Sequence, residues 1–252
     1  FGIATEPREL ALLCQVVENR VAGAACGVMD QMTASCGQEG ALLALLCQPA
    51  QILGQVKVPP EVEFLGLDSG ERHAVSGSDY SAVRVGAFMG ARILRETYGL
   101  PKGPGVGALA NITPAELEPV LPGLPEHLEG SLFLERYGGT TDIVTEVEPG
   151  RRYAVRTPTE HPIREHARVT AFRALLAEPA TEATLRSLGE LMYESHASYT
   201  ACGLGSAGTD RLVALVRQAG PVRGFYGAKI TGGGSGGTVA VLARRGVDLG
   251  PL

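Results

Sequence analysis

The run Gly232-Gly-Gly-Ser235-Gly-Gly237 is the part of the sequence whose spacing most plainly suggests chemistry. Six small residues in succession exceed what a tight turn needs, and they let backbone N–H groups come close to an anion or a sugar. Three familiar patterns overlap there. A dinucleotide-binding Gly-x-Gly-x-x-Gly must open a helix, but Thr238-Val-Ala-Val-Leu242 follows and is strand-like. The glycine loop of protein kinases would need His-Arg-Asp and Asp-Phe-Gly segments, which the sequence lacks. An elbow serine would need a histidine downstream, and none follows Ser235. A glycine-rich loop between two strands is left, with a plain β-turn as the simplest alternative.

The second candidate is Asp30, in Cys26-Gly-Val-Met-Asp30-Gln31. Its place near a helix start keeps a carboxylate ionised, so that it could accept a proton; by itself such an aspartate is more often only a stabilising charge. The five cysteines, at 14, 26, 36, 47 and 202, contain no Cys-x-x-Cys pair and read as reduced thiols of a cytoplasmic protein. His161 and His166 are five apart and no His-Glu-x-x-His occurs, so no metal centre is expected. A net charge of −5 argues against nucleic-acid binding. The longest apolar run, Ala41 to Cys47, is far short of the ~20 residues of a membrane span.

Elements that could position these residues follow from periodicity and punctuation. The 252 residues are 44% apolar and 19% charged, enough for a core, and 34 glycines with 16 prolines imply many turns. Helices are expected over 5–20, 28–37, 79–98, 163–177, 182–201 and 207–218. Strands are expected over 41–48, 51–58, 62–68, 223–231 and 238–243. Residues 99–130, rich in proline and glycine, read as loop with short helices near 114–120 and 125–137. Separate strands and helices indicate an α+β fold.

Several segments together resemble the galactokinase branch of the GHMP small-molecule kinases: Cys26-Gly-Val-Met-Asp-Gln31, Lys229-Ile-Thr-Gly-Gly-Gly-Ser-Gly-Gly-Thr238, Asp68-Ser-Gly-Glu-Arg-His73 leading to Ser78-Asp-Tyr80, and His161-Pro-Ile-Arg164. Within that branch the likeness is nearest to kinases acting on L-arabinose, through Ser81 to Gly90, Leu132-Phe-Leu-Glu135 and Ala201 to Arg211. The resemblance implies a two-domain α+β fold with a cleft between the domains. Residues 1–75 would be the remainder of an N-terminal domain that is incomplete here. Residues 76–252 would be the C-terminal domain, with an insertion at about 99–160.

The implied reaction is ATP-dependent phosphorylation of L-arabinose, or a close sugar, at the anomeric hydroxyl. Galactose or a uronic acid is the same-class alternative, and a non-catalytic sugar sensor the alternative from another class. The resemblance implies that Asp30 is the base, that Gly27, Asp68 and Tyr80 meet the sugar, and that Gly232, Gly233, Gly234, Ser235, Gly236 and Gly237 line the phosphate side. Asp210 and Arg211 are expected to be a helix cap and a solvated charge. The Mg²⁺ ligands and the phosphate-cradling loop would lie in a preceding segment, so this stretch alone is expected to be inactive.

Overall fold

A computed structural model describes residues 5–23, 26–71, 78–101, 108–142 and 144–250; His73, part of one motif, lies outside them. Helix α1 (Pro7–Arg20) starts with Pro7, whose fixed φ suits the first turn. It packs on α2 (Met29–Cys36) around Ala11, Val28, Met32 and Ala50. Strands β1 (Ala41–Leu46) and β2 (Gln51–Lys57) form an antiparallel hairpin with a bulge opposite Ala44 and Leu45. Every β1 residue is half-buried because both faces are used: Leu43 and Leu45 join the α1–α2 core, and Leu42 joins a second core beneath the later helices.

The third strand, β3 (Val62–Asp68), does not join this hairpin. It pairs with the last strand, in an antiparallel sheet of order β3-β7-β6, where β6 is Phe225–Ile230 and β7 is Thr238–Arg244. The register runs from Val62↔Arg244 to Asp68↔Thr238. Residues 62–68, grouped by sequence with the first unit, are thus hydrogen-bonded into the sheet of the second. β3 is apolar on both faces, as befits a strand between two helical layers. Leu65 and Leu67 face the core built with α8 (Ala207–Ala219). Val62 and Phe64 face Leu176 of α6 (Arg156–Leu176) and Leu185, Leu188 and Met192 of α7 (Glu182–Ala201).

A fourth core joins α3 (Ser78–Tyr98) to α6 and to the inserted segment. Gly86 and Gly90 permit the close crossing: a Cβ on Gly90 would meet Thr159 Oγ1 at 1.7 Å, and one on Gly86 would meet the Ala154 carbonyl at 1.9 Å. The described part of the insertion holds more regular structure than its prolines suggested. It holds α4 (Pro114–Leu117) with a Thr113–Glu116 capping box, α5 (Gly130–Tyr137), and a short pair of β4 (His127–Glu129) with β5 (Arg152–Ala154). Leu117, Leu124, Phe133 and Tyr153 from this region are fully buried. Helix α6 begins at Arg156, seven residues before the expected start, and carries Pro162 within it.

Candidate active site

Thr231 to Gly237 form the connection between β6 and β7. Positive φ values occur at Gly232 (65°), Gly234 (80°), Ser235 (59°), Gly236 (122°) and Gly237 (77°), a region that glycine adopts without cost. The glycines differ in their reasons. A Cβ on Gly234 would lie 2.6 Å from the Leu204 carbonyl oxygen, so the protein itself demands glycine there. Cβ atoms on Gly232 and Gly237 would meet nothing within 4 Å. Ser235 is the one loop residue carrying a side chain in this conformation; its N–H donates to Leu204 O at 2.6 Å, and its Oγ is buried without a hydrogen-bond partner.

Two expected site residues border the loop. The Tyr80 ring lies beside Gly233, 3.4 Å from where a Cβ would stand. Asp68 stands opposite Thr238 at the foot of the loop, and its Oδ1 accepts the Gly70 N–H at 3.0 Å, a turn-capping contact. Glu71, which sequence reasoning missed, ties two elements together. Its carbonyl accepts the Gly237 N–H at 3.0 Å, and its Oε1 accepts the Gly208 N–H at 3.1 Å, at the start of α8.

Beneath the loop sits a half-buried charge cluster, also missed. Lys229 Nζ is 3.1 Å from Glu165 Oε1 and 5.4 Å from the Tyr199 ring centre. Glu165 also accepts from Arg168 Nε at 2.8 Å and Ser195 Oγ at 2.5 Å. Burial alone would raise the Glu165 carboxyl, but Lys229, Ser195 and Arg168 outweigh it and hold the group down at about 2. The available signal was Lys229 itself, a lysine inside the otherwise apolar strand Phe225-Tyr-Gly-Ala-Lys-Ile230, since a buried lysine requires a carboxylate partner.

Asp30 is exposed in the first turn of α2. The Cys47 thiol is raised by its burial and then by the charge of Asp30. The Tyr199 phenol is raised by burial first and then by Glu165, Tyr80, Cys202 and Cys47. Gly27 has an ordinary φ, and a Cβ there would meet nothing, so no contact within the protein accounts for a glycine at this position. It borders a cavity of about 360 Å³, which Arg84, Phe88 and Asp142 also line. Arg84 Nη2 donates to Asp142 Oδ2 at 2.9 Å and Nε to Thr145 Oγ1 at 3.0 Å.

Asp210 is not the cap, whereas Arg211 is exposed. Ser206 caps α8, while Asp210 Oδ1 lies 3.0 Å from His196 Nε2 and accepts from Thr200 Oγ1 at 3.3 Å. Among the described residues no group of three or more His, Cys, Asp and Glu side chains could hold a metal ion, and no helix is long and apolar enough to cross a membrane.

Residues 173–248 match the family model described as GHMP kinases C terminal. Over 96% of its length the chain is 43% identical to an L-arabinokinase of Arabidopsis thaliana, covering 26% of that protein. It is 31% identical to a galactokinase of Chloroflexus aggregans, over 95% of this chain and 52% of the relative. Its fold is that of the crystal structure of Lactococcus lactis galactokinase complexed with galactose, with a TM-score of 0.72 at 19% identity over 97% of this chain and 53% of that one. The chain spans about half the length of these galactokinases and about a quarter of that of the L-arabinokinase. Residues 173–248, with the strands and helices that carry the glycine loop, match the C-terminal domain of the GHMP kinases, and nearly the whole chain resembles sugar kinases.

Proposed function

We propose that the complete protein is an ATP-dependent sugar 1-kinase, and that its sugar is L-arabinose or a close relative. The observation that carries this reading is the glycine loop: its first and last glycines are left-handed and unobstructed, and the Tyr80 ring lies along it. Such a loop offers N–H groups to phosphate oxygens, and an aromatic face suits the apolar side of a sugar ring. Asp30, exposed in the first turn of α2, takes the proton of the anomeric hydroxyl. The sugar oxygen then forms its bond to the γ-phosphorus as the bond to the bridging oxygen of ADP breaks. In such a loose transfer positioning supplies most of the catalysis, so one carboxylate in reach suffices.

Gly27 belongs to the same reading as the place where the sugar lies against the backbone, and Asp68 as a support of the loop. Mg²⁺ accompanies ATP, but the residues described here do not make a site for it, and no step is assigned to it. A cytoplasmic place of action, where ATP is supplied, is part of the proposal. So is a division into two units, with the crossing between β2 and β3 at 58–61 rather than at 75.

The test is a coupled ADP-release assay of the intact protein with Mg-ATP and L-arabinose, D-galactose or D-glucuronate in turn. Preference for L-arabinose supports the full reading, and preference for another of the three corrects the sugar. Sugar binding by calorimetry without ADP release makes the protein a sensor and overturns the kinase reading.

A further inference from the structure

A loop of small residues has few side chains with which to hold its shape, so its backbone must be held from outside. Thr231 N–H and Thr238 O close its base at 3.0 Å, and Leu204 and Glu71 hold its middle and its end. The first glycine is held differently. Tyr199 Oη, from the last turn of α7, donates to the Gly232 carbonyl at 3.2 Å. The peptide that follows is trans and planar, so fixing its carbonyl toward α7 turns the Gly233 N–H to the opposite side. A free hydroxyl-to-carbonyl contact would be soft, but the Tyr199 ring is itself clamped. His161 meets it edge-on, with ring centres 4.8 Å apart at 83°, and His161 Nδ1 lies 2.7 Å from Ser198 Oγ. Lys229 lies against the ring and is fixed by Glu165.

Resting on the kinase reading above, we infer that Tyr199 is a positioning residue of phosphoryl transfer: it acts through the Gly232 carbonyl to aim the Gly233 amide at the substrate phosphate, and the Glu165–Lys229 pair holds its ring in place. Tyr199 touches no reacting atom in this assignment. Burial opposes ionisation of its phenol and raises it above the usual tyrosine range, so the hydroxyl is a donor at neutral pH.

The experiment uses the intact protein with Mg-ATP and its best sugar. Tyr199→Phe keeps the ring, its contact with His161 and its contact with Lys229, and removes only the donor. The expected result is a kcat lower by about tenfold, the size of one hydrogen bond made in the transition state, with the KM for sugar within about twofold and an unchanged melting temperature. Lys229→Gln should lower kcat by a similar factor. In the double variant the two losses should combine to less than their product, because both act through one carbonyl. A Tyr199→Phe enzyme with wild-type kcat overturns the inference and leaves the kinase reading intact. So does a Tyr199→Phe enzyme whose lower rate is matched by a smaller titrated fraction of active sites, which is loss of fold. So do losses that multiply in full. Wild-type protein that releases no ADP with any sugar overturns the kinase reading and this assignment with it.

Discussion

Replacing Glu165 by Gln should unsettle the protein more than any other single surface-to-core charge change near the loop. The carboxylate is 18% exposed and is shared by Lys229, Arg168 and Ser195. Its lowering from 4.5 to about 2 corresponds to roughly 3 kcal/mol of preference for the charged form in the folded state. The folded value lies below the unfolded one. The contribution is therefore whole above about pH 4.5 and is lost as pH falls toward 2. Glutamine keeps the shape but leaves two cations facing a neutral amide, in the range of about 3–5 kcal/mol for breaking a buried pair. For a protein of this size about 3 kcal/mol lowers the melting temperature by roughly 6–12 °C. Thermal unfolding by circular dichroism from pH 7 to pH 2.5 measures both effects. Glu165→Gln should melt lower at pH 7, and its curve should approach the wild-type curve as the solution is acidified. Adding Lys229→Met should recover part of the loss by removing one stranded cation. A variant that melts within about 1 °C of wild type at pH 7, or that keeps the wild-type slope between pH 4.5 and 2.5, would refute the reasoning.

Three further expectations concern the same region. Asp30→Asn should leave sugar binding by calorimetry unchanged and lower kcat by about 10²–10⁴-fold, the usual share of a general base; wild-type turnover would remove Asp30 from the mechanism. Gly234→Ala should be poorly folded, because its Cβ would meet Leu204 O at 2.6 Å, whereas Gly232→Ala, with open space around it, should cost only about 1–2 kcal/mol for its left-handed φ and act mainly on turnover; the contrast is read from melting temperature against kcat. His196 is lowered chiefly by burial, opposed by Asp210, so its neutral form is favoured in the folded state. That contribution is present above about pH 6.5 and lost as the pH falls through the lower folded value, so His196→Gln should flatten the stability profile below pH 6.5, and an unchanged profile would contradict the assignment.

Much of the framework can be read from the residues. The helices at 182–201 and 207–218 have clear apolar faces, and the glycine run between two β-rich segments leaves little choice but a loop between strands. Other features are hidden for physical reasons. The partner of β3 is 170 or more positions away, and local pattern says nothing about such distances. Pro158 and Pro162 suggest a break where α6 is continuous: the first lies in the opening turn, where its missing N–H is harmless, and beside the second Ile163 is fully buried in the core that holds the helix. The three-residue pair of β4 and β5 is too short for any periodicity. Asp68 and Tyr80 border the loop, Gly27 borders a cavity and Asp30 is exposed on α2, but the groups that hold the loop, Glu71 after β3, Glu165 in the middle of α6 and Tyr199 in the last turn of α7, are single polar residues with no local pattern to mark them.

The pairing of Val62–Asp68 with Thr238–Arg244 also sets an order of events during synthesis. The core of α3, α5 and α6 draws on residues 85–163 and can close as soon as that stretch leaves the ribosome. β3 emerges earlier, yet must wait for roughly 180 more residues before β7 reaches it, about 10–40 s at ~5–20 residues per second. During that interval a strand apolar on both faces has an open edge, the state most prone to wrong pairing. Pulse-labelled hydrogen exchange on the refolding protein should therefore protect the amides of α3 and α6 before those of β3. The sheet that carries the glycine loop would then be the last part to close, and the loop would take its place only when residues 62–68 meet residues 238–244.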